Sequence, residues 1–178
     1  MSLTGDVAST AVVADGCMSG LGLRAAVALR AGAVLLDLAE CAVAERPTIH
    51  TVQTGVDEHV DGPTIRYLNH SCAPNTHIDV AAGKVVALRP IEVGEELTFF
   101  YPSTEWEMVG PFVCQCGTPD CIRLVTGAKE LSEDVLGRYR LNEHILALLA
   151  RRDRDGGHAA SDAGQVASLA SKACGDHD

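Results

Sequence analysis

The sequence predicts a mostly β domain that ends in a helical segment. Up to about residue 100, short apolar and β-branched runs recur, each ended by Gly, Pro, Asn or Asp. From 131 onward the apolar residues move to helical spacing. With 178 residues, 47% of them hydrophobic, the chain is long enough for one domain with its own core.

Small and β-branched residues over 8–14 predict a first strand, and closely spaced glycines follow in Gly16, Gly20 and Gly22. Residues 25–29 and 33–38 are expected as short strands about the turn Arg30-Ala31-Gly32; Ala-rich runs of this kind also suit a helix. Thr48 to Gln53 alternates and is β-branched, which predicts a strand, and 55–63 is turn-like. Residues 76–80 and 84–88 form an expected hairpin around Ala81-Ala82-Gly83, and a turn at 90–95 leads into a strand over 96–100. Leu131, Val135, Leu136, Tyr139, Leu141, Ile145, Leu148 and Leu149 predict one or two helices over 131–151, with capping chemistry at Ser132 and Asp134. From 152 the composition is Gly, Ala, Ser and Asp, which predicts a disordered tail.

The formal charge of −10 argues against a nucleic-acid binder and suits a basic substrate. No apolar run approaches the roughly 18 residues of a membrane span. The first residues show no basic region followed by an apolar one, so a cytoplasmic protein is expected. In such a setting the cluster Cys114, Cys116 and Cys121 reads as metal-binding before disulfide. Three thiolates leave a tetrahedral zinc one ligand short, for which Cys72 is the natural candidate and His70 the alternative. Nothing in the sequence specifies an oligomer.

Three stretches also carry a resemblance. Asn69-His70-Ser71-Cys72-Ala73-Pro74-Asn75 resembles the Asn-His-Ser-Cys-x-Pro-Asn signature of SET-domain protein lysine methyltransferases. Gly94-Glu95-Glu96-Leu97-Thr98-Phe99-Phe100-Tyr101 and the cluster Cys114 to Cys121 match the same family in the right order. The likeness covers about 16–129. It implies a β-clip-like fold of several small curled sheets with a pseudoknot-like crossing. The expected organisation is a lead-in strand over 1–15, a SET domain over 16–113 and a post-SET zinc segment over 114–130. A C-terminal helix over 131–151 and the tail over 152–178 complete it.

By that resemblance, Cys72, Cys114, Cys116 and Cys121 share one structural zinc that clamps the C-terminal segment over the active site. Gly20, Leu21, Gly22 and Leu23 match the motif that binds the methionine moiety of S-adenosylmethionine. Asn69 and His70 would hold that cofactor's amino group and adenine, partly through backbone atoms. Tyr101 matches the catalytic tyrosine, beside the cofactor and the amine. Phe99 matches the position that influences how many methyl groups are added, and a Phe there favours di- or trimethylation.

Several positions depart from the family pattern. Phe100 stands where an acidic residue is usual, and Ile122-Arg123 follows Cys121 in place of Arg-Gly. Tyrosine occurs only at 67, 101 and 139, so His50 or Trp106 is expected to supply the missing wall of the substrate channel. The substrate-reading segment over 42–65 is short, and the Ala- and Arg-rich, Lys-poor composition points to a high-GC bacterial source. The leading expectation is methyl transfer to a lysine of a protein. Its alternatives are a small-molecule amine of a biosynthetic pathway, and a silent module that binds without catalysis.

Overall fold

The computed structural model describes residues 11–15 and 20–154. In chain order its strands are β1 (Ala11–Asp15), β2 (Leu21–Ala25), β3 (Val34–Asp37), β4 (Ala42–Val43), β5 (Val52–Gln53) and β6 (His59–Asp61). These are followed by β7 (Asn69–His70), β8 (Thr76–Asp79), β9 (Lys84–Ala87), β10 (Glu96–Phe99), β11 (Phe112–Val113) and β12 (Leu124–Val125). Helices α1 (Glu133–Leu136) and α2 (Glu143–Arg154) close the described chain.

The strands form four small sheets, in the orders β1-β2-β10-β7, β3-β9-β8, β4-β6-β5 and β11-β12. Short strands divided among several sheets are what the SET fold requires, and the mostly β expectation holds. The hairpin lies where alternation placed it: Thr76 faces Ala87 and Asp79 faces Lys84, with Gly83 at φ 65° in the turn. Its inward residues Ile78, Val85 and Ala87 join Leu23, Leu35, Ile91, Leu97 and Phe99 in the main core.

Two strand expectations shift. The end of the glycine-rich stretch, Leu21 to Leu23, begins β2, while Leu29, expected in a strand, makes only an isolated bridge to Ile91. Gly22 and Leu23 are buried in β2, which pairs with β1 on one side and with β10 on the other. Thr48 to Gln53 yields a strand only at Val52–Gln53. Thr48 Oγ1 accepts from the His50 N–H, and Thr51 Oγ1 accepts from the Thr48 N–H, so a local turn replaces the ladder.

The C-terminal helical region is divided. α1 stops at Gly137, and Asn142, ahead of α2, spends its side chain on the β-layer. Its Nδ2 donates to Ile78 O and Ser103 O, and its Oδ1 accepts from the Val80 N–H. Leu136 and Ile145 then pack with Phe100 and Ala128 into a second core. α2 continues to Arg154, so helix replaces the first residues of the expected tail. The rest of that tail, the lead-in over 1–10 and the segment 16–19 lie outside the described residues.

Candidate active site

The site is built on a backbone crossing. β7 runs parallel to β10, pairing Asn69 with Thr98 and His70 with Phe99, although about thirty residues separate them in sequence. Ser71 N–H donates to Phe99 O at 3.0 Å. Asn75 closes the loop from the other side: its Oδ1 accepts from the Thr98 N–H at 2.8 Å and its Nδ2 donates to Glu96 O at 2.7 Å. Asn75 and Thr76 are buried, so each of these bonds meets a polar group that water cannot reach. The signature loop and β10 are thereby locked in one register.

Tyr101 emerges where β10 ends. Its N–H donates to His70 Nδ1 at 3.2 Å, and its phenol O–H donates to Leu68 O at 3.2 Å. Burial first, then the charges of Glu105 and Glu96, push the phenol pKa well above its ordinary value, so the group stays protonated. His70 is 1% exposed, and burial lowers its pKa to about 4. The ring is therefore neutral at pH 7, and since Nδ1 accepts, Nε2 carries the proton and points at Cys72 Sγ, 3.3 Å away.

Around Tyr101 lies a cleft of about 450 Å³. Its walls come from five segments: Thr48 to Val52, the stretch from Ile65 to His70 apart from Tyr67, Phe99 with Tyr101, Glu105 with Met108 to Gly110, and Phe112, Val113 and Gln115. Phe99 and Tyr101 stand with ring centroids 4.7 Å apart, and Phe112 meets both Tyr101 and His70 edge-on. Volume and mixed polar and aromatic walls suit a cofactor-sized ligand with an alkylamine beside it.

The cysteines meet beside this cleft. Sγ atoms of Cys72, Cys114, Cys116 and Cys121 all lie within 4.8 Å of one another, and Cys72 is 3.9 Å from Cys114 and 4.0 Å from Cys121. A tetrahedral zinc with bonds of about 2.3 Å sets its sulfurs about 3.8 Å apart, so the four residues fit that ion. Burial pushes the Cys72 and Cys114 thiols up, Cys114 to about 12, so metal binding must displace protons. His70 lies against the cluster as a hydrogen-bond partner of Cys72, and the four-sulfur set needs no histidine.

The expected site residues therefore separate into groups. Asn69, His70, Phe99, Tyr101 and His50 line the cleft, His50 on an exposed part of its wall. Gly20 to Leu23 are not among the described residues that line it. Leu21 to Leu23 begin the neighbouring strand β2, with Gly20 just ahead of it, and the strand is tied to the site where Asn69 Nδ2 donates to Leu21 O at 3.3 Å and to Glu96 Oε1 at 2.8 Å. Trp106 lies away from the cleft, because Gln53 Oε1 accepts from its backbone N–H and its ring packs on the second core. Phe100 also turns from the cleft and stacks on Tyr139 at 3.5 Å and 5°, which ties β10 to the helical end. Sequence reasoning missed Glu105, Met108 and Phe112 as cleft residues. None carries a sequence mark, since chain reversal and burial alone bring them there.

Residues 20–102 match the SET domain. Methyltransferase flvH of Aspergillus flavus is 43% identical over 130 residues, covering 71% of this chain and 73% of that protein. Histone-lysine N-methyltransferase EHMT1 of Homo sapiens is 32% identical over 46% of this chain. An H3 lysine-36 specific histone-lysine N-methyltransferase of Yarrowia lipolytica is 30% identical over 61%. The matched parts make up only 8% and 17% of those two proteins. KRYPTONITE, solved with mCHG DNA and SAH, superposes with a TM-score of 0.48 at 22% identity, covering 63% of this chain and 28% of that one. The chain belongs to the SET-domain family and is a methyltransferase of the SET type.

Proposed function

We propose that this protein is a cytoplasmic, S-adenosylmethionine-dependent N-methyltransferase that acts on a lysine side-chain amine and carries one structural zinc. The observation that supports this most is the meeting of Asn69, His70, Phe99 and Tyr101 on one cleft next to four convergent thiols. The bound cofactor supplies an electrophilic methyl group; the chain supplies position and dryness. The Tyr101 phenol, held by Leu68 O and kept protonated, orients the amine, and the Phe99 and Tyr101 rings line the path of its alkyl stem. Zinc would fix Phe112 to Gln115 as the outer wall, so its part is to shape the pocket.

A small-molecule amine is the second reading. The relative flvH matches over most of its own length, whereas the histone-lysine relatives are far longer. The test is transfer of labelled methyl from S-adenosylmethionine into cell lysate that is then split into protein and small-molecule fractions. Label in a protein band is expected. Label confined to small molecules would replace the first reading by the second, and no label in either fraction would overturn both.

A further inference from the structure

Methylating an amine has a requirement that the aromatic walls cannot meet. An alkylamine is almost wholly protonated at pH 7. An ammonium has no lone pair, so one N–H bond must break before the C–N bond forms. Glu105 is the carboxyl that the fold places for this. It lines the same cleft as Tyr101 and Phe99, it is 9% exposed, and its backbone N–H donates to Tyr101 O at 3.0 Å.

Its carboxylate is held on one side only. Oε1 accepts from the Gln53 N–H at 2.8 Å and from the Thr104 hydroxyl at 3.1 Å. Oε2 has His59 Nε2 at 3.9 Å. Burial and then the charge of His144 lower the His59 pKa, so that imidazole is neutral where Glu105 would need a cation. No lysine or arginine among the described residues pairs with Glu105, and Arg66, the cationic residue on this cleft, is paired with Asp61. Burial raises the Glu105 pKa to about 7. The cleft thus contains a buried acid that lacks a counter-charge.

We infer that Glu105 receives the substrate as an ammonium ion and accepts its proton, so that the acceptor is a cationic alkylamine. This rests on the amine-methylation reading above. In the step, an ammonium N–H bond breaks, the proton passes to the Glu105 carboxylate, and the pair left on nitrogen forms the bond to the methyl carbon. The pair of the broken C–S bond stays on sulfur. Glu105 returns its proton to solvent before the next turnover.

The experiment measures methyl transfer from labelled S-adenosylmethionine between pH 5.5 and 10 by the wild type and Glu105→Gln. The acceptors are n-butylamine, which is a lysine side chain without its backbone, and the lysate fraction that the wild type labels. The wild-type kcat/KM rises with pH through about 7 and then stays level. Glu105→Gln, which can keep the bonds from Gln53 and Thr104, is about 100-fold slower at pH 7.5. It has no inflection near 7 and recovers as pH approaches about 10, where a growing share of the amine is neutral in solution. S-adenosylhomocysteine binds both proteins alike. A variant with the wild-type rate and profile overturns the assignment. So does a wild-type profile that is flat across pH 6 to 8, a result that does not depend on how the variant folds. If the wild type labels neither acceptor, amine methylation fails first and this assignment falls with it.

Discussion

His70 has both ring nitrogens committed, Nδ1 to the Tyr101 N–H and Nε2 to Cys72 Sγ, so a single imidazole joins Tyr101 to the thiol cluster. The resemblance pointed to His70 as a cofactor contact, partly through its backbone; the two ring hydrogen bonds appear only once β7 and β10 are paired. Asn69 and Tyr101 were legible for the same reason as His70, since each sits inside a contiguous motif. Glu105 was not, because a glutamate in an acidic chain looks solvated until the fold buries it beneath Gln53 and Thr104. That burial has a thermodynamic signature. A carboxyl raised from 4.5 to about 7 costs the folded state no charge burial while both states are protonated, and destabilises it progressively as pH rises from 4.5 to 7. Glu105→Gln should therefore be more stable than the wild type above pH 7, by about 3 kcal/mol at most, and equal to it below pH 4.5. Chemical denaturation of both proteins at pH 4 and pH 8 measures the difference; a wild type equally stable relative to the variant at both values would show that Glu105 is not raised.

Among the elements, the hairpin of β8 and β9 was the easiest to read, because alternation and a turn glycine agree there. The stretch over 48–51 misled because β-branched threonines suit both a strand and a side-chain-bonded turn, and the hydroxyls decided for the turn. The segment carrying β11 and β12 depends most on something outside its own sequence. Its two-residue strands bury little, and a third core formed by Cys72, Cys114 and Val125 holds it against the signature loop. A zinc at the four thiols would supply that attachment. Metal analysis of reduced protein should give one zinc per chain, and Cys116→Ser should lower it. Chelation should weaken S-adenosylhomocysteine binding at least tenfold by freeing Phe112 to Gln115 from the cleft wall. Binding unaffected by complete zinc removal would refute the clamp.

At the scale of the molecule, two cores meet across one strand end. Phe99 faces the first core and the cleft, Phe100 faces the second, and Tyr101 turns back to Leu68. Phe100 standing where the family usually has an acid is explained by this division: its ring stacks on Tyr139 and anchors the helical end. A close approach supports the same junction. A Cβ on Gly127 would collide with the Trp106 backbone, so only glycine lets the chain after β12 pass over residues 105–107. The crossing of β7 with β10 was legible only through the resemblance, since no local periodicity encodes a parallel pair joined across a hairpin. The formal charge of −10 agrees with a cationic acceptor and gave no hint of where it binds.

By the proposed function, Tyr101 marks the point where a methyl donor meets an amine. The most direct test is labelled methyl transfer by the wild type and Tyr101→Phe side by side, with S-adenosylhomocysteine affinity measured on the same samples. The phenol contributes orientation and hydrogen bonding and little bulk, so the variant should fold, bind the cofactor product as before, and transfer methyl at least 100-fold more slowly. Equal transfer by the two proteins would place the chemistry elsewhere and contradict the account.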